Sequence, residues 1–332
     1  MGALRTARTL AQSPHLVSLY TATSRVVALV TNGENIPGLG EVAPRAAIPL
    51  LEGQAVLLNT MLLLSGVPIL LATRDPHETV RTLVHIAPTF AAIVLEGIAV
   101  PGCYAVEEAL STQLSQPVWH DDQHGVAVVV LTALLTLAMQ TQEPHTRIRV
   151  GLVGLGVSGI GIAKLLHVAG VRQLWGTDPH DNGCQRLTQL GGTATTVEEV
   201  MREAEVIVVT SAAPGFRRPD LVRRGQTLLA LSSFSPELEE AARAAEARYV
   251  ADDQRLTTAL VFPGIIRGAL DVCSTRITDA MKIAAAVAIM RHCRGTDLLP
   301  SVLDPALHLH VAHAVQDCAT REQTEPVRVK GP

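Results

Sequence analysis

The segment that most restricts the fold runs from Arg149 to Asp178. A short apolar run, Arg149–Val153, reads as a buried strand and leads into GLGVSG, Gly154 to Gly159. An apolar helical stretch follows at Ile160–Val168, with Gly170 placed as its C-cap. Gln173–Thr177 reads as a second strand and ends on Asp178. Strand, glycine turn, helix and strand in that order form a βαβ unit. Further strands are expected at Val206–Thr210, Thr227–Leu231 and Arg248–Val250, separated by helices. That rhythm predicts an α/β chain with a doubly wound parallel sheet.

Each glycine of the turn has a task. Gly154 permits the tight turn, Gly156 lets a pyrophosphate approach the backbone, and Gly159 lets helix and strand pack closely. The free N–H groups of the helix N-terminus then face the phosphates. Asp178 lies 19 residues after Gly159 (178 − 159), where its carboxylate can accept from ribose hydroxyls. An acid there disfavours a 2′-phosphate, so NAD is expected over NADP. The expected cofactor set is Gly154, Leu155, Gly156, Val157, Ser158, Gly159 and Asp178, with Thr210, Ser211, Ala212 and Ser232 after later strands. The competing possibility is a turn that kept its shape and lost its ligand.

The first half alternates short strands and helices. Strands are expected at Val26–Thr31, Pro68–Thr73, Ala91–Glu96 and Pro117–Trp119, and helices near 46–64, 76–85, 104–114 and 124–139. The polar stretch Gln140–Thr146 reads as a junction, giving domains at 1–145 and 146–290 and a C-terminal helix with its tail at 291–332. Helices are expected at Thr275–Arg291 and Pro305–Ala319, and the tail from Thr320 is expected to lack fixed structure.

Net charge is −4, which gives no electrostatic case for nucleic acid or an anionic membrane. The longest uncharged apolar run, Val126–Met139, is too short to cross a bilayer and reads as a buried helix. The N-terminus lacks an apolar core of signal-peptide length. The five cysteines include no CxxC pair, which predicts reduced thiols, a cytoplasmic location and no zinc site. Only three lysines occur, Lys164, Lys282 and Lys330.

PVWHDDQHG, 117–125, places Asp121 and Asp122 at a strand end beside a helix N-terminus. His120 and His124 flank them and are read first as residues that orient the loop, with acid–base work by His124 the sharper alternative. His308, His310 and His313 suggest a metal cluster, but on a helix 308 and 310 point apart. Arg45 is either a carboxylate binder or a solvent-facing cation. Cys103 reads as a small buried residue.

Four segments together resemble the malic enzymes of bacterial type: VALVTNGENIPGLGEVAPRAAIPLLEGQAVLL, APTFAAIVLEGIAVPGCYAVEEAL, PVWHDDQHGVAVVVLTALL and LVFPGIIRGALD, all in the family's order. The resemblance extends from about Gly2 to Met290. It implies an amino-acid-dehydrogenase-like N-terminal domain, a Rossmann domain, an active site in the cleft between them, and a dimer. It also implies oxidation of a small carboxylic acid with NAD(P), a divalent Mg or Mn ion, a lysine base and a tyrosine acid. Several of those positions are changed. The base falls on Gln54, in LEGQAV where the family reads MEGKAV. The tyrosine falls before Met1. The metal ligands retained are Glu96 and Asp122, with Gly97 between them in family order. Substrate amides become Ser233, Thr257 and Thr258. Asp121 and His124 are weak candidates for replacement acid–base groups.

Three outcomes stay open. The first is an NAD(P)-dependent oxidoreductase of a small hydroxy- or oxo-acid without standard malate decarboxylation. The second is a dinucleotide-binding pseudoenzyme, in a homodimer or in a heteromer with an active relative. The third is decarboxylation with relocated acid–base groups.

Overall fold

A computed structural model describes residues 2–36, 38–210, 218–231, 236–252 and 254–324. By packing, the chain forms two compact units. One comprises residues up to Trp119 with Ile266–Ile277, and the other His120–Ile265 with Thr278 onward.

The first unit contains α1 (Gly2–Gln12), α2 (Val17–Tyr20), β1 (Val26–Thr31), α3 (Ile48–Leu62), β2 (Ser65–Leu70), α4 (Pro76–Ile86), β3 (Ala92–Leu95), α5 (Gly102–Gln113) and β4 (Val118–His120). Its sheet has the order β2-β1-β3-β4. β1 pairs in parallel with β2 and with β3. β1 and β3 are almost wholly buried, which explains why they read as unbroken apolar runs. Pro68, which cannot donate to a ladder, lies on the edge strand β2. α4 opens on Asp75, whose side chain accepts from the His77 N–H and caps the helix.

The second unit contains α6 (Asp121–Thr141), β5 (Val150–Val153), α7 (Val157–Val168), β6 (Leu174–Thr177), α8 (Asp181–Gln189), β7 (Thr193–Ala194), α9 (Val197–Glu203), β8 (Val206–Val209), β9 (Thr227–Ala230), α10 (Pro236–Ala244) and β10 (Tyr249–Ala251). After them come α11 (Phe262–Asp271), which ends in the first unit, α12 (Asp279–Met290) and α13 (Pro305–Thr324). The sheet is parallel throughout, in the order β7-β6-β5-β8-β9-β10. Chain order therefore reverses between β5 and β8, which is the dinucleotide-fold arrangement with its ligand crevice at that switch point.

Two sequence expectations are corrected here. α6 begins at Asp121, three residues before the apolar periodicity that predicted it. His120, in extended backbone, is its N-cap, and Asp121 and Asp122 occupy the first turn. Acidic residues there favour the helix electrostatically, a signal that hydrophobic periodicity cannot register. α13 continues past Thr320 to Thr324, and the hydroxyl of Thr320 donates to the Gln316 carbonyl along it. At 21 residues α6 is long and apolar enough to span a bilayer by length and composition. However, most of it is buried within the protein, packed on α7 and α12 as a core helix.

Candidate functional site

The glycine turn lies at the end of β5, at the switch point. Gly154 has a φ of +103°, which favours glycine. A Cβ on Gly159 would stand 2.1 Å from the Gly154 carbonyl oxygen, so helix and turn can approach this closely only at glycine. A Cβ on Gly156 would meet nothing within 4 Å, which leaves that side of the turn open. The Leu155 N–H donates to Asp178 Oδ2 at 2.6 Å, and the His180 N–H donates to Asp178 Oδ1 at 2.8 Å. The carboxylate is thus fixed beside the turn. The Thr210 hydroxyl donates to the Gly154 carbonyl at 2.9 Å and joins β8 to the same turn. Gly154, Leu155, Gly156, Val157, Ser158, Gly159, Asp178 and Thr210 are brought together as expected. The open side at Gly156, the free N-terminus of α7 and the fixed acid fit a dinucleotide. Ser211, Ala212, Ser232 and Ser233 lie outside the described residues.

The acidic turn is joined directly to this loop. Ser158 Oγ donates to the Asp122 carbonyl at 2.9 Å. A Cβ on Gly161 would lie 2.4 Å from the Gln123 carbonyl oxygen, so that glycine admits the start of α6 against α7. A Cβ on Gly125 would meet Asp121 Oδ1 at 2.5 Å and Thr258 Cγ2 at 2.8 Å. Thr258 therefore presents its methyl group to the acidic turn. Thr257 Oγ1 accepts from the Ala259 N–H at 3.3 Å and is used as a cap. Of the two threonines expected at the substrate, Thr258 thus lies against α6, and the Thr257 hydroxyl accepts a cap bond. His120 is fully buried, its Nε2 3.7 Å from Asp122 Oδ2.

Two residues of this region were not foreseen. Gly161 follows GLGVSG by two positions. Lys282, in α12, is buried at 7% exposure and places Nζ 3.1 Å from His124 Nδ1 and 3.0 Å from Asp279 Oδ1. The available signal was a lone lysine within the apolar stretch MKIAAAVAIM.

In the first unit, Gln54 lies on α3. Its Oε1 is buried and has no hydrogen-bond partner among the described residues. Glu96 follows β3, and Gly97 has a φ of +66°. A Cβ on Gly97 would meet Ile36 Cδ1 at 2.6 Å and Thr31 Oγ1 at 3.0 Å. The loop has therefore closed around a glycine where the family resemblance places a carboxylate. Glu96 and Asp122, the metal ligands expected from sequence, belong to different units. Among the described residues no group of three His, Cys, Asp or Glu side chains could hold a metal ion. Glu96 and Asp122 are carboxylates of the kind that Mg or Mn takes, and they would be the residues to hold such an ion.

The C-terminal histidines separate as their helical spacing required. His308 is fully buried and its Nε2–H donates to the Val302 carbonyl at 2.7 Å, whereas His310 contacts His292. Burial holds the His308 imidazole below the usual histidine range, and the Val302 bond and Asp304 only partly oppose it. A depressed histidine pKa stabilises the fold above the unfolded value of about 6.5, and that stability is lost as pH falls. Acidification from neutral pH is therefore expected to lower Tm less in His308→Gln than in the parent chain. Parallel melts across the acid range check this. Cys103 is buried, and Arg45 is exposed.

No protein-family profile matches the chain. Individual relatives do. NAD-dependent malic enzyme 1 of Bacillus subtilis is 41% identical over 314 residues, covering 94% of this chain and 72% of the relative. The bifunctional malic/malolactic enzyme of the same organism is 34% identical, covering 90% of this chain and 80% of that one. The crystal structure of malic enzyme from Pyrococcus horikoshii superposes with a TM-score of 0.86 at 31% identity, covering 99% of this chain and 84% of that one.

Proposed function

The chain belongs to the malic enzyme family, and on that premise we propose that it is an NAD-dependent oxidoreductase of a small 2-hydroxy- or 2-oxo-acid that does not carry out standard malate decarboxylation. The observation that carries this is an unequal site. The dinucleotide loop keeps its internal hydrogen bonds, from Leu155 to Asp178 and from Thr210 to Gly154. Gln54, in contrast, stands at the family's base position with a buried oxygen that has no hydrogen-bond partner among the described residues.

When bound, NAD supplies the hydride acceptor. The protein's own groups bind and orient. The N-terminus of α7 would receive the phosphates and Asp178 would accept from the ribose hydroxyls, while the acidic turn is held against the loop through Ser158 and Gly161. Gln54 can donate or accept a hydrogen bond to a substrate oxygen, but it cannot take up a proton at neutral pH. Hydride transfer depends chiefly on placement of the two reactants, and the hydroxyl proton released with it would pass to Asp121 or His124, the candidate acid–base groups of the acidic turn, and from there to water. The enol-forming steps after oxidation require further proton transfer, and the family's base position holds Gln54.

A screen of 2-hydroxy acids with NAD⁺ tests this. At least one should yield NADH. If none does under conditions where NADH binds, the oxidoreductase reading fails and the pseudoenzyme remains. Cofactor choice has its own check. Asp178→Asn keeps an acceptor for the Leu155 N–H and removes the charge. It is expected to shift the NADP⁺-to-NAD⁺ affinity ratio toward NADP⁺ by about tenfold, roughly the 1.4 kcal/mol of one weakly screened charge contact. Paired calorimetric titrations measure the ratio.

The same premise supports a homodimer. Leu50 and Val56 of α3, and Leu63 at its C-cap, are exposed apolar side chains. Light scattering on the purified chain gives the mass.

A further inference from the structure

We propose that Lys282 is a positioning residue for the acidic turn at the dinucleotide loop, acting by locking His124 in its Nε2–H tautomer. The proposal rests on the oxidoreductase reading for its effect on turnover, but not for the tautomer itself.

Lys282 is 7% exposed on α12, with Met281, Ala285, Ala286 and Ile289 of the same helix all buried. A buried ammonium is costly without partners. It has two here, Asp279 Oδ1 at 3.0 Å and His124 Nδ1 at 3.1 Å. An ammonium has three donors and no acceptor. Nδ1 of His124 must therefore offer its lone pair, and the ring proton resides on Nε2. The atom of Gln123 placed 3.1 Å from that Nε2 is its amide nitrogen, also a donor, so the Nε2–H tautomer requires the carboxamide to be turned by half a revolution, which brings its oxygen there to receive the ring N–H. A line of contacts thus runs from Asp279 and Lys282 to His124 and Gln123 at the first turn of α6. That turn also meets the glycine helix, through Ser158 on the Asp122 carbonyl and Gly161 on the Gln123 carbonyl. Lys282 thereby braces the first turn of α6, which carries Asp121 and Asp122, from a position 158 residues along the chain from His124.

Removing the ammonium while keeping the stem, in Lys282→Met, leaves Nδ1 without its donor. The ring can then adopt the other tautomer, and the turn loses a lateral hold. Misplacement of reacting groups on this scale costs up to about 10²-fold in rate. The expected results are a fall in kcat of that order, an NADH affinity within about twofold of the parent, and partial recovery in Lys282→Arg, which keeps the charge and the donors.

Nitrogen-15 NMR of the imidazoles in the full chain, at mildly alkaline pH, provides the readout that a merely structural role would not move. His124 is assigned by the signal lost in His124→Asn. The parent should show Nε2–H for this ring, and Lys282→Met should lose that single tautomer. An Nδ1–H signal in the parent would overturn the proposal, whether or not the variants fold. So would an unchanged tautomer in Lys282→Met, or a changed tautomer with unchanged kcat. If the parent chain oxidises no hydroxy acid, the oxidoreductase reading has failed, and the tautomer still decides whether Lys282 locks His124.

Discussion

Gln54→Lys is expected to raise malate-to-pyruvate turnover by about 10²-fold, the lower end of what a positioned general base contributes. The residue lies on α3, where lysine and glutamine have similar helix propensity, so the helix should tolerate the exchange. The buried oxygen of Gln54 has no hydrogen-bond partner among the described residues, so its replacement breaks no described bond. The gain should stop short of a full base effect. Thr258 turns a methyl group toward the acidic turn, and Gly97 stands where a carboxylate is missing. Returning a carboxylate as Gly97→Asp would not repair the site simply. It must adopt a φ of +66° and displace Ile36, whose Cδ1 would lie 2.6 Å from the new Cβ. Pyruvate formation from malate, measured for parent and variant together, is the check. An unchanged rate would mean that the missing base is not what limits malate chemistry.

The other large effect concerns two glycines of one turn, which should fail differently. Gly159→Ala forces a Cβ to 2.1 Å from the Gly154 carbonyl, a backbone atom that cannot rotate away. The turn must open, and both NADH binding and Tm should fall, with binding lost by at least about 10²-fold, or roughly 2.7 kcal/mol. Gly156→Val adds its side chain where nothing lies within 4 Å of the Cβ. The fold should be untouched and Tm unchanged within a degree or so, while NADH affinity falls about as far, because that open side is where the pyrophosphate must approach. Calorimetric titration with NADH and thermal melts on both variants separate the two cases. A Gly156→Val protein that binds NADH like the parent would place the cofactor elsewhere.

The dinucleotide half was legible because its determinants are local. Strand, turn and helix follow one another within thirty residues, and the acid that fixes Leu155 lies at the next strand end. The strand limits at Val26–Thr31 also agree with the structure, because a strand buried on both faces leaves an unbroken apolar run. The start of α6 was misplaced because Asp121 and Asp122 are polar and carry no periodicity, although as first-turn acids they belong to the helix. The end of α13 was drawn too early for the same reason, since a polar helical turn resembles a tail.

The links between distant segments were not legible. Lys282 and His124 are 158 positions apart, and nothing local to MKIAAAVAIM names its partner. Gly161 could be seen as a glycine, but its reason, the Gln123 carbonyl, lies on another helix. Glu96 and Asp122 are joined as a ligand set by the family pattern alone, since they stand 26 positions apart in sequence (122 − 96), and the loop at Gly97 has no room for a side chain without displacement of its neighbours.

The proposed function pairs a dinucleotide loop with its hydrogen bonds in place and a substrate site whose base position holds Gln54. The most direct test is to incubate the purified parent chain with NAD⁺, Mn²⁺ and malate, and to quantify NADH and pyruvate in the same sample, beside the hydroxy acid that performs best in the screen. The expected result is NADH from that acid and no pyruvate from malate at ordinary enzyme rates, which are about 10 s⁻¹. Equal amounts of NADH and pyruvate, formed from malate at such rates, would contradict it.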